Sequence, residues 1–276
     1  MVYTHLQNRD SNRPPVTLST LAQMKQRGEK IACLTAYDAS LAALVDAAGV
    51  DVVLVGDSLG MVIQGHDTTV PVTMDHMVYH CAAVARGLMR PLLIADLPFM
   101  SYATPELALR NAVRLLQEGG ASMVKLESGP GQVDTVAYLA RHDIAVCAHL
   151  GLKPQSVHKT GGFRVQGRGE QAAQAMMQDA KSLEAAGADL LLLECIPSEL
   201  GQRISAAAEV PVIGIGAGPH TDGQILVLYD ILDLTPGRKP RFARNFMAGS
   251  ESPQAAIARY VQAVRSAQYP AAEHSF

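Results

Sequence analysis

Four acidic residues close four short apolar runs. Asp57 follows Val52-Val53-Leu54-Val55-Gly56, and Asp96 follows Leu92-Leu93-Ile94-Ala95. Glu127 ends Met123-Val124-Lys125-Leu126, and Glu194 ends Leu190-Leu191-Leu192-Leu193. A donor set made only of oxygens suits Mg2+ or another hard divalent ion, so Asp57, Asp96 and Glu127 are the candidate metal ligands. Nothing supplies the His and Cys spacing of a zinc site. The plainer reading is that an acid at a strand end caps the next helix. It fits one such acid well and three on consecutive strands less well. Glu194 lies between Leu193 and Cys195. Desolvation there raises a carboxyl pKa toward the range useful to a general base. The competing roles for Glu194 are a supporting acid or a further metal ligand.

Lys125 stands two residues before Glu127. A period of two along a strand points both side chains to one face. A lysine facing a barrel interior is costly unless paired, so it is expected to meet a carboxylate of protein or substrate. Reaching outward to the rim is the alternative. His149 closes another apolar run and either orients a substrate or makes a structural hydrogen bond. Ser58 follows Asp57, and its N–H or hydroxyl is suited to an anion. Gly214-x-Gly216-x-Gly218 resembles a phosphate loop after the seventh strand. A tight turn that brings a ligand close to the backbone explains it equally well.

Placing these residues requires a repeated strand–helix unit. The four runs are apolar throughout and rich in β-branched residues or leucine, which reads as strands buried on both faces. Turn residues and a helical pattern follow each, the signature of parallel βα units. The expected strands are Ile31–Ala36, Val52–Gly56, Pro91–Ala95, Met123–Leu126, Ala145–Ala148, Leu190–Leu193, Val212–Ile215 and Ile225–Leu228. A short amphipathic helix over Leu18–Arg27, stopped by Gly28, precedes the first strand. Further helices are expected over Ser40–Ala48, Asp75–Arg86, from Thr104-Pro105-Glu106, and over Gln132–Arg141, Glu170–Ala186, Ser198–Ala208 and Pro253–Ala267. Two long loops interrupt the pattern. Leu59–Val72 is a candidate lid, since loops of this length are often functional. Gly151–Gly169 is Gly-rich and basic, with Lys153, His158, Lys159, Arg164 and Arg168.

The expected fold is therefore α/β, a single (β/α)8 TIM barrel whose active face gathers the C-terminal strand ends. A doubly wound open sheet is the alternative. The chain has 276 residues, and one such barrel takes roughly 250. Residues 1–276 then form one domain, with a polar N-terminal extension over 1–17 and a short C-terminal tail over 268–276. Hydrophobic residues make up 48% and charged residues 18%, enough apolar material for a large core. The net charge of −3 argues against a nucleic-acid surface. Apolar stretches fall well short of the roughly 20 residues a membrane helix needs. The N-terminus lacks the basic-then-apolar pattern of a signal peptide. Cys33, Cys81, Cys147 and Cys195 are far apart. They read as buried free thiols in a reducing cytosol, so the expected location is cytoplasmic.

Read together, these segments resemble the ketopantoate hydroxymethyltransferase (3-methyl-2-oxobutanoate hydroxymethyltransferase) family. The resemblance runs through Thr35-Ala36-Tyr37-Asp38, Val55-Gly56-Asp57-Ser58-Leu59-Gly60-Met61, Gln64-Gly65-His66-Asp67-Thr68-Thr69 and Ala95-Asp96-Leu97-Pro98-Phe99-Met100. It continues through Val124-Lys125-Leu126-Glu127, His149-Leu150-Gly151-Leu152, Val165-Gln166-Gly167-Arg168, Leu193-Glu194-Cys195, Gly214-Ile215-Gly216-Ala217-Gly218 and Thr221-Asp222-Gly223-Gln224. It implies a (β/α)8 barrel, Mg2+, and transfer of a hydroxymethyl group from 5,10-methylenetetrahydrofolate to 3-methyl-2-oxobutanoate, the first committed step toward pantothenate. On matching positions it implies metal-site acids at Asp57, Asp96 and Glu127, oxoacid contacts at Asp57, Ser58, Asp96 and Lys125, and a proton acceptor at Glu194. His149 joins the substrate-binding candidates by its position. A homodecamer, with no nucleic-acid or membrane partner, is the expected assembly. Lys153 stands where the family pattern leads one to expect threonine, and Ala148 where it leads one to expect glycine; both bear on loop detail. The basic loop is a candidate for the acidic folate tail, with a solvated charged surface as the plainer alternative. The alternative activity is a Mg-dependent 2-oxoacid lyase or mutase of the phosphoenolpyruvate/isocitrate lyase type. Those lyases often use a loop cysteine, and here the cysteines fall in strand-like runs or a helix. A non-catalytic binding module and a structural protein are the remaining alternatives; the four acids speak against the first and the lack of repeats against the second.

Overall fold

A computed structural model describes residues 14–237 and 239–276. Met1 to Arg13, most of the expected N-terminal extension, lie outside the described residues. The strands are β1 (Ile31–Thr35), β2 (Val52–Val55), β3 (Leu92–Asp96), β4 (Met123–Glu127), β5 (Val146–Gly151), β6 (Leu190–Glu194), β7 (Val212–Ile215) and β8 (Gly223–Leu226). Each pairs in parallel with the next, and β8 returns to β1, closing the barrel. The helices, in chain order, are α1 (Leu18–Gln26), α2 (Ala39–Ala47), α3 (Leu59–Val62), α4 (Met74–Gly87), α5 (Pro105–Gln117), α6 (Val133–Ala140), α7 (Val157–Thr160), α8 (Glu170–Ala185), α9 (Ser198–Ala207), α10 (Leu228–Ile231) and α11 (Pro253–Arg265).

Local chemistry starts the helices where they are needed. Thr17, Asp38, Thr73, Thr104 and Ser252 each accept a backbone N–H from the first turn of α1, α2, α4, α5 and α11. Such a cap contributes about 1 kcal/mol by satisfying an otherwise orphaned donor. Pro105 and Pro253 open α5 and α11, where a missing N–H has no consequence. The strands are buried along their lengths because helices cover one face and the barrel interior takes the other. Inside, Cys33, Val52, Leu54, Ile94, Cys147 and Ile213 line a small, largely apolar cavity together with Lys125.

The opposite end is closed by buried charge. Asp51, just before β2, accepts from Ala32 N at 3.0 Å, Arg90 Nη2 at 3.0 Å and Arg265 Nη2 at 3.2 Å. One carboxylate thus ties β1, the approach to β3 and the end of α11. The Tyr260 hydroxyl on α11 lies 2.8 Å from Cys33 O and 2.9 Å from Gln224 O, holding that helix against β1 and β8.

Four expectations change. Strand 8 was expected over Ile225–Leu228, but it starts at Gly223 and Leu228 opens α10. A Cβ at Gly223 would fall 2.4 Å from Ile31 O, so the close approach of β8 to β1 selects a residue that carries no strand signal. Strand 5 was expected to stop at Ala148, yet β5 runs on to Gly151, placing His149 inside the ladder. The first four residues of the candidate lid, Leu59–Val62, are α3. The basic segment after β5 holds a 3-10 turn at Pro154–Ser156 and then α7. Cys33, Cys81, Cys147 and Cys195 are free and buried. Among the described residues no helix is long and apolar enough to cross a membrane.

Candidate active site

Parallel pairing brings the acids to one end of the barrel. Asp96, Glu127 and Glu194 are the last residues of β3, β4 and β6, and Asp57 lies two residues beyond β2. Lys125 and Asp96 are register partners on neighbouring strands, so their side chains share a face. Lys125 Nζ donates to Asp96 Oδ1 at 2.5 Å, with the two side chains only 8% and 3% exposed. Asp96 Oδ2 accepts the Asp57 backbone N–H at 3.0 Å. Asp57 Oδ2 accepts from Gln155 Nε2 at 2.8 Å, and Glu127 Oε1 from Gln155 N at 2.9 Å. Glu127 Oε2 is buried without a hydrogen-bond partner. The Ser58 hydroxyl meets the Tyr37 hydroxyl at 2.8 Å.

Across the mouth, Glu194 Oε2 lies 3.3 Å from His149 Nε2. That distance suits an ion pair, but burial, reinforced by the Lys125 charge, drives the His149 pKa well below its ordinary value. The imidazole is therefore neutral, and the contact is a polar approach rather than an ion pair. Glu194 keeps 15% of its side chain exposed, so a small molecule in the mouth can reach it.

Burial sets the protonation equilibria. It raises Glu194 to about 7, against the lowering pull of Lys125. It raises Glu127 to about 8, opposed by the Gln155 N–H. Asp57 rises to about 7 through burial and the Asp96 charge, with Lys125 and the Gln155 amide pulling down. For Lys125, burial pulls downward, but the charges of Asp96 and Asp57 prevail and hold its pKa above the ordinary value. The mouth thus has one fixed cation among carboxyl groups that bind protons near neutrality, the arrangement suited to proton transfer.

Backbone strain fixes the Glu194 side. Cys195, the next residue, has φ of 48°, a conformation costly for a residue with a Cβ. It is held there by its N–H to Ile215 O and its carbonyl to Gln166 N, both at 2.9 Å. Gly151, at φ of 98°, closes β5 so tightly against β6 that a Cβ would fall 2.1 Å from Glu194 O. The Gly214-x-Gly216-x-Gly218 run has a packing role in this structure. A Cβ at Gly218 would fall 2.0 Å from Ser198 Oγ, and one at Gly216 2.9 Å from the Phe242 ring. The run is a tight turn whose close approaches are to the protein's own Ser198 and Phe242.

The structure thus links Asp57, Asp96, Lys125 and Glu127 by hydrogen bonds and sets Glu194 beside His149. Ser58 is held at the edge by Tyr37. Gln155 and Tyr102, whose hydroxyl donates to Gln155 Oε1 at 2.5 Å, were not expected from the sequence. A lone glutamine in a loop carries no signal until the fold sets it against carboxylates.

A divalent cation fits this set by donor chemistry. The donors are oxygens, and Glu127 Oε2 is a buried lone acceptor. Among the described residues no three His, Cys, Asp or Glu side chains form a ready-made cluster. Both Asp96 oxygens are engaged by Lys125 and the Asp57 N–H.

The sequence model described as ketopantoate hydroxymethyltransferase matches residues 15–272. The chain belongs to this family. Among ketopantoate hydroxymethyltransferase relatives, a protein of Alkalilimnicola ehrlichii named 3-methyl-2-oxobutanoate hydroxymethyltransferase is 64% identical over 264 residues, 96% of this chain and 95% of its own. One of Hahella chejuensis named 3-methyl-2-oxobutanoate hydroxymethyltransferase 2 is 56% identical over 261 residues, covering 95% of this chain and 98% of its own. Solved structures share the barrel at low identity. Phosphonopyruvate hydrolase in complex with oxalate and Mg++ superposes with a TM-score of 0.59 at 15% identity, over 76% of this chain and 80% of its own. A 2,3-dimethylmalate lyase of the PEP mutase/isocitrate lyase superfamily gives 0.55 at 15% identity, over 78% and 81%. These likenesses concern the fold; the family assignment to ketopantoate hydroxymethyltransferase rests on sequence.

Proposed function

We propose that the chain transfers a hydroxymethyl group from 5,10-methylenetetrahydrofolate to 3-methyl-2-oxobutanoate, giving 2-dehydropantoate on the route to pantothenate. The observation that carries the reading is Glu194 at the same mouth as the buried Lys125–Asp96 pair, in a chain of this family. Asp57, Asp96 and Glu127 would hold Mg2+ or a similar ion. Held by these acids, such an ion would supply Lewis acidity that makes the C3 hydrogen of the oxoacid easier to remove.

The side chains do the rest. Lys125 Nζ presents a fixed positive charge to the oxoacid oxygens, and it costs no reorganisation because Asp96 already holds it. Glu194 accepts the C3 proton as that C–H bond breaks, and the electron pair becomes the enolate. With a pKa near 7 it is basic enough to take the proton and still substantially ionised at neutral pH. Neutral His149 touches Glu194 without neutralising it, keeping the carboxylate available. The folate's one-carbon unit is a methylene bonded to two folate nitrogens, and both C–N bonds break: one as the methylene opens to an electrophile, the other on hydrolysis. The enolate carbon forms the new C–C bond to that carbon and water supplies the hydroxyl oxygen. The two folate nitrogens take the electron pairs of the broken bonds and, between them, the equivalent of the C3 proton and one proton of the water. The folate brings the electrophile; the protein brings position and charge.

The chain is read as a single barrel domain with a polar N-terminal extension over 1–17 and a short tail over 268–276; the homodecamer is supported by the family resemblance, and the cytoplasmic location by the free, buried cysteines. Incubating purified protein with the oxoacid, the folate donor and Mg2+, with products identified by mass spectrometry, tests the activity. Formation of 2-dehydropantoate is expected. Cleavage or rearrangement of a 2-oxoacid without folate would favour the lyase or mutase reading, which the shared barrel keeps in view.

A further inference from the structure

The residue that joins the acids of the mouth lies in the turn after β5. Gln155 is only 5% exposed. Its backbone N–H donates to Glu127 Oε1 at 2.9 Å. Its Nε2 donates to Asp57 Oδ2 at 2.8 Å and to Leu97 O at 3.0 Å, and its Oε1 accepts from the Tyr102 hydroxyl at 2.5 Å. Both amide protons and the amide oxygen are engaged. This fixes the amide's orientation, because a flipped amide would set Oε1 against a carboxylate and a carbonyl with no proton between them. One residue, through its side chain and its backbone N–H, therefore spans material from four strand ends: Asp57 after β2, Leu97 and Tyr102 after β3, Glu127 at the end of β4, and its own turn after β5.

The chemistry of an amide suits this place. Ionised to receive a cation, Asp57 and Glu127 carry like charge and repel, and each has a rotatable carboxyl group. A lysine between them would hold them together but would also occupy the position of a cation. A neutral amide donates to one oxygen of Asp57, while the backbone N–H beside it takes one oxygen of Glu127. No charge is added, and Glu127 Oε2 stays free of hydrogen bonds. Pro154, just ahead, fixes the turn that aims the Gln155 N–H.

We propose that Gln155 is a positioning residue: it sets the separation and rotamers of the Asp57 and Glu127 carboxylates, and so governs the affinity of the barrel mouth for a divalent cation. This rests on the reading of those acids as metal ligands. The outer partners of metal ligands typically change affinity ~10–100-fold when removed.

The test is Mn2+ binding to the purified full chain without substrate, read from the electron paramagnetic resonance of free Mn2+, with thermal unfolding measured alongside. Gln155→Met keeps the length and bulk of the side chain but cannot donate to Asp57; Gln155→Ala removes it. Both are expected to weaken Mn2+ binding by at least ~10-fold. Tyr102→Phe, which leaves the Asp57 and Glu127 contacts in place, is expected to weaken it less. A merely structural Gln155 would lower the unfolding temperature while the folded variants kept parental Mn2+ affinity. If Gln155→Met binds Mn2+ within twofold of the parent, the proposal is overturned and the metal reading stands. If the parent itself binds no Mn2+, the metal reading fails and takes the proposal with it.

Discussion

Lys125 Nζ and Asp96 Oδ1 lie 2.5 Å apart across one rung of the β3–β4 ladder, above an apolar barrel interior. Because both side chains are almost fully buried, neither charge can turn to water if the other is lost. Removing one partner of such a pair typically costs ~3–5 kcal/mol, through the charge left behind. Lys125→Met should therefore lower stability by about that amount in denaturant unfolding. Adding Asp96→Asn should restore much of it, because no lone charge remains. In kinetics, Lys125→Ala should weaken oxoacid binding more than folate binding. Lys125→Arg should not rescue fully, since a planar guanidinium does not replace a compact ammonium in a closed space. Equal effects on the two substrates would contradict the role assigned to Lys125.

Dependence on a divalent ion follows from Asp57, Asp96 and Glu127. Chelation with EDTA should remove activity, and added Mg2+ should restore it. Asp96→Ala should lose at least ~10-fold in cation affinity or activity. Full turnover by metal-free protein would refute this reading.

How much of this was open to the sequence depends on the residue. The end-of-strand acids were legible because each follows an apolar run with a clear strand signal, and the parallel barrel then brings such ends together. Lys125 was legible because a period of two ties it to Glu127. The position of His149 inside β5 was not, since Leu150-Gly151 breaks the pattern just where the ladder continues. The start of β8 was missed for a related reason. Gly223 is selected by contact with Ile31, and a contact between distant segments leaves no local mark. Gln155 was hidden for the same reason, since its partners lie in segments far away in sequence.

Glu194 as the base makes a prediction about one proton. Glu194→Gln is nearly isosteric and should leave the fold and oxoacid binding intact. Deuterium exchange at C3 of 3-methyl-2-oxobutanoate in D2O with Mg2+ should fall by ~10²–10⁴, the usual size of a general-base contribution. Exchange at the parental rate would remove Glu194 from the role. With Mg2+ saturating at every pH, so that proton binding at Asp57 and Glu127 does not limit the ion, the parental rate should rise with pH through about 7 as the Glu194 carboxyl loses its proton, and the Gln variant should lack that rise. The linkage to stability has the opposite sign. The folded-state pKa near 7 lies above the ordinary 4.5, so the folded chain holds this proton more tightly. The stability this supplies is complete below about 4.5 and is lost as the pH climbs to about 7.

Two glycines with positive φ offer a final check on how Glu194 is held. Gly151 has φ of 98° and Gly161 φ of 69°. At Gly161 a Cβ would meet nothing within 4 Å, whereas at Gly151 it would fall 2.1 Å from Glu194 O. Gly161→Ala should therefore cost only the left-handed conformation, ~1–2 kcal/mol. It should leave C3 exchange unchanged. Gly151→Ala carries that cost and a collision with backbone that cannot rotate away. It must push β5 from β6 at the residue bearing the base. We expect a larger loss of stability than at Gly161 and, in protein that still folds, a fall in C3 exchange. A misplacement of 1 Å can cost about 10²-fold in rate. If Gly151→Ala lowers stability yet exchanges C3 hydrogen at the parental rate, then the tight β5–β6 closure serves the fold alone and does not position Glu194.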